Sequence, residues 1–345
     1  MITPEHLLRP TPSGLYCPPG DFYIDPVRRA VDRAIITHGH ADHARAGHGA
    51  VLATPDTLAI MAARYGANFC SSQQALAFGE TVSLNGVKIG MVPAGHILGS
   101  AQIILEWKGL RIVNTGDYKR RLDPTCTPFE VVSKPHVFIT EATFGLPVFK
   151  HPDDRGEISR LLASLKTFSD RPHLIGVYSL GKAQRVIRLL RDAGWERPIY
   201  IHGALEKLCE LYVRRGVTLG PLEKVRHEPA GKGHGTNFAG EIILGPPSAF
   251  AAKWGQRFKD PILGFASGWM GIRQRTRQRG VELPLILSDH ADWDELTNTI
   301  IDVDAEEVWI TYGREDALVR WSQLNGRRAK PLRLVGYSDE NDDSE

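Results

Sequence analysis

The chain has 345 residues, with 42 lysines and arginines against 40 aspartates and glutamates. That length buries a large core in one big domain or two ordinary ones, and the near balance of charge excludes a globally cationic nucleic-acid binder, so a polyanion would have to be met by a local basic groove. Cys17, Cys70, Cys126 and Cys209 lie far apart with no C-x-x-C pair, which argues against a disulfide framework or a thiolate zinc site and for a reducing, cytoplasmic setting.

The segment Met1–Pro19 is proline-rich and charged, without an apolar run of signal-peptide or membrane length, so no membrane association is expected. Short apolar runs follow. Ala34–Thr37, Lys88–Val92, Ala101–Trp107, Leu110–Asn114 and Val137–Thr140 read as strands, several ending on a polar residue where loops converge. Between them Pro55–Tyr65 has helical spacing, with Thr54 as N-cap. From about Gly156 the texture changes to strand-helix alternation: Leu174–Tyr178, helix Lys182–Ala193, Ile199–His202, helix Leu205–Arg214. That is the pattern of a small parallel α/β unit. Ala230–Asn237 is glycine-rich and reads as a loop, followed by strands at Ile242–Gly245, Ile262–Ala266, Leu285–Leu287 and Val308–Thr311. With no repeat and no low-complexity linker, the α/β unit is expected as an insertion. The expected division is 1–155 for the first part of an outer domain, 156–280 for the insertion, 281–337 for the outer domain's return, and 338–345 as a disordered acidic tail.

The strongest chemical signal is Thr37-His38-Gly39-His40-Ala41-Asp42-His43, directly after an apolar run. His38, His40, Asp42 and His43 cannot all face one side of a strand or helix, but a tight turn gathers them, and Gly39 and Ala41 offer little steric obstruction. Imidazoles mixed with a carboxylate suit zinc or a similar divalent ion in a catalytic site with an open position. His96, flanked by Gly95 and Gly99, and Asp117, in Asn114-Thr115-Gly116-Asp117, each follow a strand and extend the set. An aspartate there can bridge two ions through its two oxygens.

These residues resemble the metallo-β-lactamase superfamily: His38, His40, Asp42 and His43 match its signature, His96 its third motif and Asp117 its fourth. Asp25 looks like its first, with Asp32 as a competitor. Glu141, in Ile139-Thr140-Glu141-Ala142-Thr143-Phe144-Gly145, and His290, in Leu287-Ser288-Asp289-His290-Ala291-Asp292, resemble motifs A and B of the beta-CASP nucleases. The resemblance runs from about Asp25 to Tyr312. It implies an αββα sandwich with an inserted α/β beta-CASP domain, acting on DNA or RNA.

Motif C falls at Trp309-Ile310-Thr311-Tyr312-Gly313, where RNA-processing relatives carry a histidine and DNA-repair relatives do not. Tyr312 therefore tilts the expectation toward a DNA exonuclease close to the ligase-associated and crosslink-repair groups, with fewer ligands for the second ion. The resemblance implies that His38, His40 and His96 hold one ion, Asp42 and His43 a second, and Asp117 bridges them; zinc is the expected metal, with manganese as the alternative. Asp42, Asp117, Glu141 and His290 are the expected catalytic groups, His290 as general acid supported by Glu141. Ser179, Gly181 and Lys182 open a helix and could grip phosphate; Ser267 and Gly268 are similar candidates. Arg273, Arg275, Arg277 and Arg279 could add a phosphate track and Trp269 a stacking surface. The expected partners are DNA, single-stranded or with free ends, and a DNA ligase or helicase. An RNA-processing nuclease and a small-molecule metallo-hydrolase are the competing readings.

Overall fold

In the computed structural model, residues 2–27, 30–225, 238–274 and 280–334 are described. They fall into two units, one made of the residues up to Lys150 together with those from His290 onward, the other of His151–Asp289.

The first unit is built on two sheets. One takes Arg9–Thr11, Gly14–Cys17, Phe22–Ile24, Arg33–Ile35, His48–Ala53 and Cys70–Ala75 in that spatial order. The other runs Arg328–Pro331, Glu307–Gly313, Val137–Ala142, Leu110–Asn114, Ala101–Trp107, Val87–Pro93 and Thr81–Leu84, parallel over its first four strands and antiparallel thereafter. Between them lies a core of Leu15, Phe22, Ile24 and Ile35 against Ile103, Ile112, Val137, Ile139 and Trp309. On the outer face of the first sheet, Leu58 and Met61 of helix Pro55–Tyr65 meet Ala34, Ile36, Val51 and Ala53. On the outer face of the second, Leu296 and Ile300 of helix Trp293–Val303 and Leu318 of helix Glu315–Leu324 cover Val113, Phe138, Val308 and Ile310. The result is the expected helix-sheet-sheet-helix sandwich. Strands covered on both faces are largely apolar, and Val137–Ala142 is buried throughout, with Thr140 and Glu141 its polar members towards the C-terminal end.

The second unit carries a six-stranded parallel sheet in the order Leu222–Lys224, Ile199–Ile201, Ile242–Gly245, His173–Gly176, Ile262–Ala266, Leu283–Leu285. Its connecting helices include Asp154–Thr167, Lys182–Asp192 and Gly203–Arg214. The last strand lies two residues earlier than the run Leu285–Leu287 suggests, because Leu287 N–H turns back to the Leu285 carbonyl at 3.0 Å. Pro284 is tolerated within it because this strand is an edge. The glycine-rich loop, Arg275, Arg277, Arg279 and the acidic tail lie outside the described residues.

An ionic network is buried in this unit. Arg185 is 0% exposed, and its guanidinium donates to Asp154, to the Ser288 carbonyl and, at 3.2 Å, to Asp289. The Lys182 ammonium lies 2.7 Å from the Leu287 carbonyl and 2.9 Å from Asp289. Two buried cations thus share the Asp289 carboxylate, and removing it takes a charged partner from each. Asp289→Ala is expected to lower stability by about 3–5 kcal/mol, read as a shift in the urea denaturation midpoint; a loss within experimental error would show that the network is not needed for folding.

Candidate metal centre

The strand Arg33–Ile35 releases the chain into the histidine-rich turn, and Asp25 fixes how it leaves. Asp25 is fully buried, and its Oδ1 accepts from Thr37 N–H at 2.8 Å while its Oδ2 accepts from Thr37 Oγ1 at 2.6 Å and meets His43 Nδ1 at 2.8 Å. Asp32 offers its main chain instead, its carbonyl accepting from Ala50 N–H at 2.7 Å. Of the two sequence candidates, Asp25 is therefore the one that orients the turn.

Helix Pro55–Tyr65 holds two ligand-bearing loops at once. A Cβ on Gly39 would stand 2.5 Å from Ile60 Cγ2, so the turn lies directly on the helix, and Arg64 donates to the Gly39 carbonyl at 2.9 Å. At the helix N-terminus, Thr54 and Thr57 hydroxyls donate to the Gly99 carbonyl at 2.7 and 3.0 Å, anchoring the loop that carries His96. Gly99 has φ +76°, and a Cβ there would meet Thr57 N at 2.8 Å, which reserves the position for glycine.

The side chains converge. His38, His40, His96 and Asp117 each place a ligand atom within 4.8 Å of all the others. His96 Nε2 is 3.0 Å from His40 Nδ1. Asp117 Oδ2 lies 3.4 Å from His38 Nε2, 3.4 Å from His43 Nε2 and 3.9 Å from His96 Nε2, and His43 Nε2 is 3.7 Å from Asp42 Oδ2. His38 Nε2 is buried with no hydrogen-bond partner among the described residues, although a buried polar atom is normally satisfied. An acceptor nitrogen pointing among imidazoles and a carboxylate fits a divalent cation, and the donor set is that of such a site.

The electrostatics are those of a tightly packed charge cluster. Burial, reinforced by His43, keeps the His38 imidazole well below its usual range. Burial also opposes protonation of His43, but Asp117 and Asp42 outweigh it and hold that imidazole well above its usual range. Asp117 is buried too, yet His43 and His38 keep its carboxyl well below the ordinary carboxylate range.

Glu141 and His290 form an adjoining pair. Glu141 Oε1 accepts from Tyr118 N–H at 2.6 Å, and Oε2 lies 2.9 Å from His290 Nδ1. With Asp117 they too place ligand atoms within 4.8 Å of one another, and the rings of His290 and His96 are 4.7 Å apart. Sequence reading missed Thr37, Thr57, Arg64 and the Tyr118 amide. Only Thr37, inside the motif, carried a visible signal; the others act through contacts distant in sequence.

The remaining candidates belong to the second unit. Ser179 is buried and its carbonyl accepts from Gln184 Nε2 at 2.9 Å, while Gly181, at φ +82°, donates its N–H to Gln184 Oε1 at 2.8 Å. Lys182, expected to reach for phosphate, has its ammonium engaged by Asp289 and the Leu287 carbonyl, because helix entry turns the side chain inward. Ser267 accepts from Trp269 N–H at 3.3 Å and caps the short 3-10 helix Gly268–Gly271. Trp269 is half-buried and Arg273 exposed. No helix among the described residues is long and apolar enough to cross a membrane.

No family model matches the chain. Over 329 residues, 90% of this chain, it is 27% identical to a probable DNA ligase of Opitutus terrae, of which the match spans 30%. It is 35% identical over 143 residues to the endoribonuclease ysh1 of Aspergillus fumigatus, covering 38% of this chain and 16% of that one. With the cleavage and polyadenylation specificity factor 73 of Drosophila melanogaster the identity is 34% over 140 residues, covering 38% and 20%. The chain thus spans less than a third of the length of these curated relatives. A solved structure, a protein of unknown function from Enterococcus faecalis V583, superposes with a TM-score of 0.56 at 13% identity over 88% of this chain and 80% of that one, a likeness of fold alone. These similarities, with a sandwich whose strand ends carry the motif residues in order, support a likeness of the chain to the beta-CASP group of the metallo-β-lactamase superfamily.

Proposed function

We propose that the chain is a metal-dependent phosphodiesterase that degrades DNA from an end, with 5′ ends preferred, in repair or end-processing. The observation that carries this reading is the Glu141–His290 pair set against the His/Asp cluster. His38, His40 and His96 would hold one divalent cation and Asp42 and His43 a second, with Asp117 between them. Bound there, such cations supply Lewis acidity that activates solvent and neutralises charge on a phosphoryl group; zinc suits the imidazole-rich set best, with manganese as the alternative. Glu141 orients the His290 ring through Nδ1, so Nε2 is the nitrogen that hands a proton to the departing oxygen. Ser179, Gly181, Ser267 and Gly268 are the proposed phosphate contacts of the second unit; Lys182 would join them only by leaving Asp289.

DNA is preferred over RNA because the similarity to the ligase-named relative extends over 90% of the chain, whereas similarity to the endoribonucleases covers 38%. Tyr312, at the position where the resemblance puts a histidine in RNA-processing relatives, points the same way. The higher identity of the shorter match, 35%, favours the second reading, an endoribonuclease on the same scaffold. A DNA ligase is the proposed functional partner.

Digestion of DNA and RNA of one sequence, labelled separately at each end, tests this. Metal-replete protein is expected to shorten DNA from its 5′ end, to stop after chelation and to resume when a divalent ion is restored; internal cuts in RNA with DNA left whole would replace this reading by the second. His290→Ala should lower turnover by about 10²–10⁴-fold at unchanged metal content. Loss of metal with an intact rate per bound ion would instead make His290 a ligand.

The charge state of His43 gives a pH dependence. In the metal-free protein its imidazole keeps a proton well above the usual range, so a cation binding at His43 must displace that proton. Affinity at this position is expected to fall as pH falls, and calorimetric titrations in buffers of different ionisation enthalpy should register proton release. An observed enthalpy independent of buffer would contradict the protonated His43.

A further inference from the structure

Two turns beside the metal centre hold aliphatic side chains out in solvent. Leu122, five residues after Asp117, is 74% exposed, and Val148, seven residues after Glu141, is 75% exposed; no other large apolar side chain among the described residues is so open. A lone exposed aliphatic residue calls for no explanation. These two differ, because the chain around each is tied down. Arg121 N–H donates to Glu295 Oε1 at 2.7 Å and its guanidinium donates to Asp292. On the other side of Leu122, Asp123 is buried, and its Oδ1 accepts from Thr125 N–H at 2.8 Å and from Thr125 Oγ1 at 2.6 Å. Val148 is followed by Phe149, which is buried with its ring 5.1 Å from that of Phe144 and whose carbonyl accepts from Trp293 N–H at 3.0 Å. Lys150 Nζ lies 3.0 Å from Asp294. Fastened neighbours keep Leu122 and Val148 from folding inward, so their exposure is built into the turns.

Both turns are fastened to one place. Asp292 is the N-cap of helix Trp293–Val303 and Trp293, Asp294 and Glu295 open it, while His290 stands two residues before that cap. The Tyr118 carbonyl accepts from Ala291 N–H at 2.8 Å, and the Phe144 ring lies 6.3 Å from the His290 imidazole. The two aliphatic side chains therefore stand on turns that border the Glu141–His290 pair. A protein partner seated there would close the centre against its own substrate, whereas a strand with a phosphate at the centre carries the neighbouring bases past this border. Base faces are flat and apolar, and proteins set apolar side chains against them. In a duplex those faces are hidden in the stack. Leucine and valine side chains form no hydrogen bonds to base edges, so their contact reads no sequence. We propose that Leu122 and Val148 form an apolar rim that packs on unpaired bases next to the phosphate being cut. The inference rests on the nuclease reading and is indifferent to whether the strand is DNA or RNA.

The affinity of the metal-replete full chain for two single-stranded oligonucleotides decides it. Both carry phosphorothioate linkages that resist hydrolysis and are built on whichever sugar the protein cuts; one bears bases and the other is abasic throughout. The doubly altered protein, Leu122→Ser with Val148→Ser, should bind the base-bearing strand about tenfold more weakly and the abasic strand as the unaltered protein does. Leu122→Met with Val148→Ile should keep the full affinity. Leu324→Ser, which removes an aliphatic side chain 67% exposed on helix Glu315–Leu324, should alter neither affinity. Equal losses for the two strands, or no loss, overturn the proposal. So does self-association in sedimentation that the serine changes disperse, which would make the rim a contact between copies of the chain. Should the double variant not fold, Leu122→Ser alone carries the same comparison. A protein that binds and cuts strands but ignores these changes loses the rim and keeps the nuclease reading; one that neither binds nor cuts any strand loses both.

Discussion

A single buried carboxylate, that of Asp25, is the constraint from which the metal centre follows. A carboxyl group deprived of water is tolerated only if its oxygens are satisfied. Asp25 achieves this by taking the Thr37 amide, the Thr37 hydroxyl and His43 Nδ1 together. Those three bonds fix where the chain turns after the strand Arg33–Ile35, and they commit one nitrogen of His43 so that the other faces Asp117. The left-handed backbone of Asp25, at φ +44°, is one that aspartate adopts more readily than most residues.

Spacing across the centre is set by a different element. Helix Pro55–Tyr65 carries Ile60 and Arg64 on Gly39 and, one end earlier, Thr54 and Thr57 on Gly99. A rigid rod that touches both loops converts two flexible turns into one frame, and a ligand set needs such support to keep its geometry. Burying imidazoles and a carboxylate without water is costly. The opposing directions, His43 held up by Asp117 and Asp42 and Asp117 held down by His43 and His38, offset part of that cost by placing an imidazolium beside a carboxylate, while burial keeps His38 neutral.

Much of this was legible in the sequence where the signal was local. The doubly covered strands Ala101–Trp107 and Leu110–Asn114 and the helix Pro55–Tyr65 lie where the apolar patterns put them. The histidine-rich turn declared itself by donor density. Strands such as Gly14–Cys17, Phe22–Ile24 and Cys70–Ala75 did not, being short or, in the last case, an exposed polar edge. Asp25 and Asp32 were indistinguishable because each follows or precedes a short apolar run, and only the pairing of strands places one beneath Thr37. Lys182 read as a phosphate contact because a helix N-terminus readily binds anions; its buried ammonium instead meets Asp289, a carboxylate over a hundred residues away. The bulge at Tyr312, where Gly313 and not Tyr312 stands opposite Ala142, depends on that register and leaves no local trace beyond the glycine.

Parallel pairing explains why residues so distant in sequence meet. The strands Leu110–Asn114, Val137–Ala142 and Glu307–Gly313 are parallel neighbours, so their C-terminal ends share one edge of the sheet. Asp117 follows the first, Glu141 lies near the end of the second, and Tyr312 near the end of the third. The strand Ala101–Trp107 runs antiparallel to this group, so the residues before Ala101, the loop of His96, arrive at the same edge. Reversing any one of these strands would carry its polar residue to the opposite edge, roughly five residues at about 3.3 Å each away. The direction of the strands, more than the identity of any single ligand, is therefore what turns a list of scattered polar residues into a site.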